Sequence, residues 1–310
     1  MTTHQDRIAG GLIGLLVGDA LGVPYEFHSP EEIPAESLIE YEPPAGFMRS
    51  HAVMPGTYSD DGAQALCLLA SLLECGRFDA DDFAGRVVDW FSNGYCAVDN
   101  RVFDVGIQTS RAIRALRQGT PVLEAGPSEE QANGNGSLMR VLPLALWHLG
   151  TDAELVDDAC LQSRVTHGHP RSQACCALYC LWARRILEGS ADPWGDAVVS
   201  LRGLIDRDSA LYAELEGPIK ADGPPGGEGS GYVVDCLHSA RFAVQAGDFE
   251  RVVRAAIRLG DDTDTTAAVA GGIAGLRDGL AAIPERWVKG LRGSEWYEPL
   301  LRDLLARHPS

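Results

Sequence analysis

The chain has 310 residues, 45% hydrophobic and 23% charged, enough to bury a sizeable core in one large domain. Its 44 acidic and 26 basic residues leave a formal net charge of −18, and the summed field of such a surface repels nucleic acid and anionic membranes. The eight cysteines contain no C-x-x-C pair, and Cys175, Cys176 and Cys180 fall in an Ala-rich apolar pattern where small thiols pack as reduced core residues.

The first pattern, Ile8 to Leu21, is helical, with Gly14, Gly18 and Gly22 four apart on one face, a spacing that permits close backbone approach to a neighbour. Its apolar start follows Arg7 in the manner of a signal peptide, but Asp19 interrupts the run, so a soluble cytoplasmic protein is expected, and a monomer. Pro24 to Pro55 has six prolines and no periodicity, which predicts a long loop, with Glu26 and Phe27 at its beginning.

Helical stripes follow at Ala63 to Leu73, Asp81 to Phe91 and Val105 to Leu116, the first stopping at Gly76. Asn133-Gly134-Asn135-Gly136-Ser137 then runs straight into the apolar Leu138 to Leu144. A Gly-rich turn feeding a helix presents free backbone N–H groups, the way phosphates are held, although Asn-Gly turns are also ordinary loop chemistry. Further helices are predicted at Ala153 to Gln162, Arg171 to Leu187, Trp194 to Leu204, Tyr232 to Ala246, Asp248 to Leu259, Thr265 to Leu280 and Pro284 to Leu291, with an exposed loop at Pro218 to Gly231. The chain therefore reads as an all-α fold. Ala267, Gly271 and Gly275 give the helix after residue 265 a small-residue face like that of the first, and the two faces are expected to pair.

Two acidic clusters open helices: Ser59-Asp60-Asp61 and Asp261-Asp262-Thr263-Asp264-Thr265. Helix capping accounts for one or two such residues. It does not account for three carboxylates crowded at one start, whose mutual repulsion grows unless a cation offsets it. Carboxylates and hydroxyls with no matched Cys/His set favour Mg²⁺ or Mn²⁺ over zinc, and two clusters favour two ions. His167 and His169, two apart and followed by Pro170, do not make a helical zinc pair.

The ordered motifs resemble the ADP-ribosylglycohydrolase family. They are G-D-A-L-G…E at Gly18 to Glu26, S-D-D at Ser59 to Asp61, F-D-V-G at Phe103 to Gly106, N-G-N-G-S-L-M-R at Asn133 to Arg140, T-H at Thr166-His167, G-Y-V-V-D at Gly231 to Asp235 and L-G-D-D-T-D-T-T at Leu259 to Thr266. The resemblance implies an all-helical fold around a dinuclear Mg²⁺ or Mn²⁺ site, and hydrolysis of the bond between the distal ribose of ADP-ribose and its acceptor. It implies Ser59, Asp60, Asp61, Asp262, Asp264 and Thr265 as metal ligands, with Glu26, Asp60 and Asp61 as the catalytic carboxylates. Glu26 matches the acidic residue of the family's mobile loop, with two implied roles, acting on the attacking water or gating the site. Gly134, Asn135, Gly136 and Ser137 would cradle the pyrophosphate, and Asp104, His167 and Tyr232 would line the ligand cleft.

Ser59 and Gly62 depart from the threonines common at these positions in the family; serine keeps a ligand oxygen, whereas glycine weakens the helix start. Two other readings compete. A non-catalytic, crystallin-like member would retain the fold without turnover. An isoprenoid-diphosphate enzyme would carry D-D-x-x-D on a helix, against the i, i+1, i+3 spacing of Asp261, Asp262 and Asp264.

Overall fold

A computed structural model describes residues 2–308, and among these the regular secondary structure is helical. Fourteen α-helices follow in order: α1 (His4–Gly22), α2 (Asp60–Cys75), α3 (Ala80–Asn93), α4 (Ile107–Arg117), α5 (Leu142–Trp147), α6 (Asp152–Arg164) and α7 (Pro170–Leu187), then α8 (Pro193–Leu204), α9 (Ala210–Glu214), α10 (Val233–Ala243), α11 (Phe249–Ile257), α12 (Thr263–Asp278), α13 (Glu285–Gly290) and α14 (Ser294–Ala306). Residues 26–59 run without a helix longer than three residues, as the prolines predict.

The α1–α12 pair is the axis of the molecule. A methyl added at Gly10 would lie 2.2 Å from the Gly275 carbonyl oxygen, one at Gly14 2.4 Å from that of Gly271, one at Gly18 2.1 Å from that of Ala267, and one at Gly22 2.3 Å from Asp264 Cα. The partners descend along α12 by three or four residues as the glycines ascend along α1, so the helices run antiparallel with their backbones in contact, and the expected pairing is present. The span His4–Tyr25, α1 with the short helical turn that follows it, is long and apolar enough to cross a membrane, yet its apolar window is wholly buried inside the protein. Burial on all sides explains why it is apolar all round rather than amphipathic. By contrast α11, which borders solvent, buries Phe249, Val252, Val253, Ala256 and Ile257 on a single stripe.

This register does more than fill space. Antiparallel pairing with Gly22 against Asp264 sets the C-terminal end of α1, carrying Asp19, and the following Glu26 beside the acidic start of α12.

The helix expected directly after the Gly-rich turn begins later than its sequence suggests. Residues 136–141 form tight turns, with the Leu138 and Met139 amides both donated to the Asn135 carbonyl and that of Val141 to Leu138, before the short α5 starts at Leu142. Pro143 in its first turn favours that late start. α9 and α14 carried no sequence expectation. α14 docks Tyr297 and Leu304 into the core from its amphipathic face. All eight cysteines are free thiols, seven of them buried.

Candidate functional site

The two acidic helix starts meet. Ser59 caps α2, its Oγ accepting the Asp61 N–H at 3.3 Å and donating to Asp61 Oδ2 at 3.1 Å. Thr265, in the first turn of α12, donates its hydroxyl to the same Asp61 Oδ2 at 3.3 Å, which ties the two clusters directly. Asp264 Oδ1 accepts the Thr265 N–H at 2.9 Å, Asp262 Oδ2 accepts Asn135 Nδ2 at 2.8 Å, and Asp60 Oδ2 accepts Gln64 Nε2 at 3.0 Å. Behind them Asp19 grips the start of α2 with both oxygens, taking the Ser59 N–H at 2.8 Å and the Gly62 N–H at 2.7 Å.

Gly62 carries no side chain because none fits: a methyl there would lie 2.8 Å from Leu16 Cδ2 and from Tyr58 Cδ2. The weakness that glycine brings to a helix start is thereby offset by the charged acceptor on its N–H and by the packing that occupies its missing side chain.

Asp19, Asp61 and Asp264 place carboxylate oxygens within 4.8 Å of one another, and so do Glu26, Asp262 and Asp264. Asp61 Oδ1 and Asp264 Oδ2 are buried without a hydrogen-bond donor. Burial, followed by the neighbouring carboxylates, pushes Asp60, Asp61 and Asp264 well above the usual carboxylate range, and burial raises Asp262 and brings Asp19 to about 7. Unpaired buried carboxylates at this density are costly, and a divalent cation with oxygen ligands removes the cost. The donor set thus fits a hard metal ion, with Ser59, Asp60, Asp61, Asp262, Asp264 and Thr265 all present around one place. Among the described residues no buried arginine bonds these carboxylates in its place. Arg140 is buried but reaches Asp60 only through Gln64, donating to Gln64 Oε1 at 2.7 Å and to Gln162 with its remaining nitrogens.

Glu26 sits just beyond. It is buried, and burial together with Asp104, Asp262, Asp61 and Asp19 lifts its carboxyl to about 10. His51 Nε2 lies 2.5 Å from its Oε2. The main chain around it is locked to the start of α12 by reciprocal hydrogen bonds, Phe27 N–H to Asp261 O and Asp261 N–H to His28 O, each 2.7 Å. Gly260 allows that approach: it has φ +76°, and any Cβ there would come within 2.7 Å of the Pro30 nitrogen. Asp104, held at φ 53° and raised to about 6 by burial and by Asp262, completes this edge.

A cavity of about 860 Å³ opens from these groups. Glu26, Asp60, Asp104, Asp262 and Thr265 line its inner end, Gly134, Asn135, Gly136 and His167 its wall, and Glu129, Glu130 and Tyr232 its mouth. Burial and the nearby Arg140 hold His167 near 3, so the ring is neutral, with Nδ1 paired to Thr166 Oγ1 at 2.8 Å. A methyl at Gly136 would come within 2.8 Å of His167 Cε1, so the glycine lets the imidazole pack directly against the turn.

The Gly-rich turn differs in detail from the expected four-amide cradle. The Gly134 N–H is donated to Gln108 Oε1 and the Asn135 N–H to Gly231 O, both at 3.0 Å, because residues 133–135 bridge to residues 231–233. The Ser137 hydroxyl is buried against Ser163 and Cys176 instead of facing the cavity. Of the four residues, Gly136 borders the cavity and has the His167 ring packed where a side chain would point. Asp19, His51, Gln64 and Gln108 join the site without having been assigned to it from sequence. Asp19 alone had a signal, a carboxylate inside an otherwise apolar, Gly-rich helix.

The family model for ADP-ribosylglycohydrolase matches residues 1–310. The chain is 31% identical over 306 residues to the ADP-ribosylarginine hydrolase Tri1 of Pseudomonas putida (strain GB-1), covering 98% of this chain and 79% of that one. It is 31% identical over 290 residues to the ADP-ribosyl-(dinitrogen reductase) glycohydrolase of Rhodospirillum rubrum, covering 93% and 90%. Human ADP-ribosylhydrolase ARH3 is 24% identical over 343 residues, covering 96% and 92%. A solved structure described as an ADP-ribosylglycohydrolase-related protein complex superposes with a TM-score of 0.78 at 33% identity, covering the whole of both chains. With the motifs in order, the all-helical fold and a match along its full length, the chain belongs to the ADP-ribosylglycohydrolase family of hydrolases.

Proposed function

We propose that the protein hydrolyses the bond between the distal ribose of ADP-ribose and an acceptor, with two Mg²⁺ or Mn²⁺ ions held by Ser59, Asp60, Asp61, Asp262, Asp264 and Thr265. The observation that carries this reading is the pair of buried, donorless oxygens on Asp61 and Asp264, packed behind Asp60, Asp262 and Thr265, which line the inner end of a cavity large enough for a dinucleotide. When bound, such ions polarise the ribose oxygens and offset negative charge at the reacting end.

The chain's own groups supply the rest. Glu26 stands over the inner end as the proton-handling carboxyl, raised first by burial and then by its carboxylate neighbours. The share from Asp262 and Asp61 is offset when cations are bound, which favours the ionised form, able to take a proton from a water attacking the anomeric carbon. Neutral His167, packed against the backbone at Gly136, gives the polyphosphate-bearing part of the ligand a wall without a competing negative charge. Tyr232, 37% exposed at the mouth, offers a flat ring to the adenine.

For the acceptor, arginine ranks first. Relatives at 31% identity are named for ADP-ribosylarginine and for ADP-ribosylated dinitrogen reductase, and Asp104 and Glu26 border the reacting end with carboxyls that suit a cationic guanidinium.

The test offers ADP-ribosyl-arginine, ADP-ribosyl-serine and O-acetyl-ADP-ribose with Mg²⁺, with Mn²⁺ and with EDTA, and measures free ADP-ribose. Metal-dependent release from ADP-ribosyl-arginine, abolished by EDTA, is expected. Release from none of the three substrates under any metal would favour the non-catalytic reading.

A further inference from the structure

His51 belongs to none of the ordered motifs, yet it holds the side chain on which the proposed chemistry turns. The backbone of residues 26–28 is fixed from several directions: Phe27 N–H reaches Asp261 O, His28 Nδ1 lies 3.0 Å from Glu26 O, and the Ser50 hydroxyl donates to the same Glu26 carbonyl. The carboxyl itself is held by His51 Nε2, at 2.5 Å from Oε2. The imidazole is seated between Phe27, with ring centroids 5.9 Å apart, and Phe103, at 5.1 Å. Phe103 immediately precedes Asp104, and Glu26, His51 and Asp104 offer polar atoms within 4.8 Å of one another. Two aromatic neighbours and half-burial restrict the ring, and a restricted ring restricts the carboxyl it bonds.

We propose that His51 is a positioning residue for Glu26: its Nε2 takes one carboxyl oxygen and so fixes the direction in which the other faces the reacting end of the cavity. The residue touches no reacting atom; it acts through Glu26. The proposal rests on the reading of Glu26 as the proton-handling group of a hydrolase. It adds that the long loop after α1 is not only a cover, since one of its later residues returns to orient one of its first.

Three substitutions separate orientation from packing. His51→Gln keeps a hydrogen-bond donor near the place of Nε2 and loses the ring. His51→Phe keeps a ring between Phe27 and Phe103 and loses the donor, and Glu26→Gln removes the group being positioned. Expected is a fall in kcat of about 10- to 100-fold in His51→Phe, the scale of a misplaced catalytic group. KM should stay within about threefold, because ground-state binding is not the function lost. His51→Gln should recover most of the rate, and His51→Phe should cost little further in the Glu26→Gln background. Amide hydrogen exchange across residues 25–30 provides a readout free of turnover, and it should quicken in His51→Phe and stay near wild type in His51→Gln.

The reverse ranking, with His51→Phe close to wild type and His51→Gln impaired, would assign the residue to packing and overturn the proposal. So would unchanged exchange in His51→Phe, or a full additional loss in the double variant. If the wild type releases no ADP-ribose from any acceptor, the hydrolase reading fails, whereas the exchange measurement still decides whether His51 tethers Glu26.

Discussion

The two ends of the cavity are both acidic and behave in opposite ways. At the mouth both carboxylates have an arginine: Arg111 bonds Glu129 at 2.6 Å, and Arg171 bonds Glu130 at 2.7 Å as well as Glu214 outside the cavity lining. Those pairings draw Glu129 and Glu130 below the usual carboxylate range. At and just behind the inner end Asp60, Asp61, Asp262 and Asp264 have amides and hydroxyls as donors but, among the described residues, no guanidinium or ammonium bonded to them, and burial drives them upward. The same side-chain chemistry is thus self-neutralised at one end and left in deficit of positive charge at the other. A deficit that survives in a folded core marks the place where the missing charge is brought by something bound.

The sharpest way to break this contrast is to remove one unit of the deficit. Asp61→Asn keeps the shape of the side chain and should abolish the Mg²⁺-dependent rise in melting temperature, while slightly raising that of the EDTA-treated protein. Turnover should fall by about 1,000-fold or more, the loss of several kcal/mol of charge stabilisation. A Mg²⁺ response equal to wild type would show that the cluster is not the cation site. Glu26→Gln comes next. It should retain the Mg²⁺ response and lose about 100-fold in turnover, the contribution of a positioned proton-transfer group; undiminished activity would reject its role.

The deficit also has a pH signature. Asp19 titrates at about 7 in the fold against 3.8 in an unfolded chain, so the folded protein binds the extra proton between those values. Stability of the metal-free protein should then fall as pH rises from about 4 to about 7, the Asp19 share being absent below this window and complete above it, and Glu26, raised to about 10, extends the fall past pH 7. Melting curves in EDTA across the window check the sign. Mg²⁺ should flatten the dependence, and a metal-free protein that grows more stable with rising pH would contradict it.

How much of this was open to the sequence follows from which interactions are local. Helix positions came from apolar spacing, and the α1–α12 pairing came from glycines four apart, because both depend on residues near one another in the chain. The two acidic clusters were visible because repulsion among adjacent carboxylates is itself local. What stayed hidden were partners supplied from a distance. His51 reaches Glu26 across 25 positions, and Gln108 takes the Gly134 amide across 26. The four-amide cradle failed in detail for the same reason, since the amides of Gly134 and Asn135 are consumed by Gln108 and Gly231. Nothing in Asn-Gly-Asn-Gly-Ser announces a distant acceptor.

The pairing of α1 with α12 can be tested against a glycine that has no such duty. Gly18→Ala places a methyl 2.1 Å from the Ala267 carbonyl oxygen, which is backbone and cannot swing aside, so the helices must separate. Overpacking of this kind should cost about 3 kcal/mol, read from denaturant unfolding, and weaken the Mg²⁺ response because Asp19 moves away from α2. Gly85→Ala, in α3 with open space around it, should instead leave stability unchanged or raise it by up to about 1 kcal/mol. Equal effects at the two positions would mean that close backbone contact does not set the inner end.

The mouth provides the smallest effect and the counterpart to Asp61→Asn. Arg111 and Glu129 are each about half exposed, at 51% and 53%, so water already solvates both charges and the pair gains little from being formed. Arg111→Ala should shift the melting temperature by no more than about 2 °C and leave the Mg²⁺ response intact. What it should change is the field at the entrance: Glu129 loses its guanidinium, the mouth gains one net negative charge, and an anionic ligand meets a modest added repulsion. KM for an ADP-ribosylated substrate is therefore expected to rise by a few-fold at low salt with kcat held, and to return toward wild type as salt screens the added charge over about 8–10 Å. A fall in kcat, or a KM change that ignores ionic strength, would mean that the mouth is coupled to the inner end by contact and not only by charge.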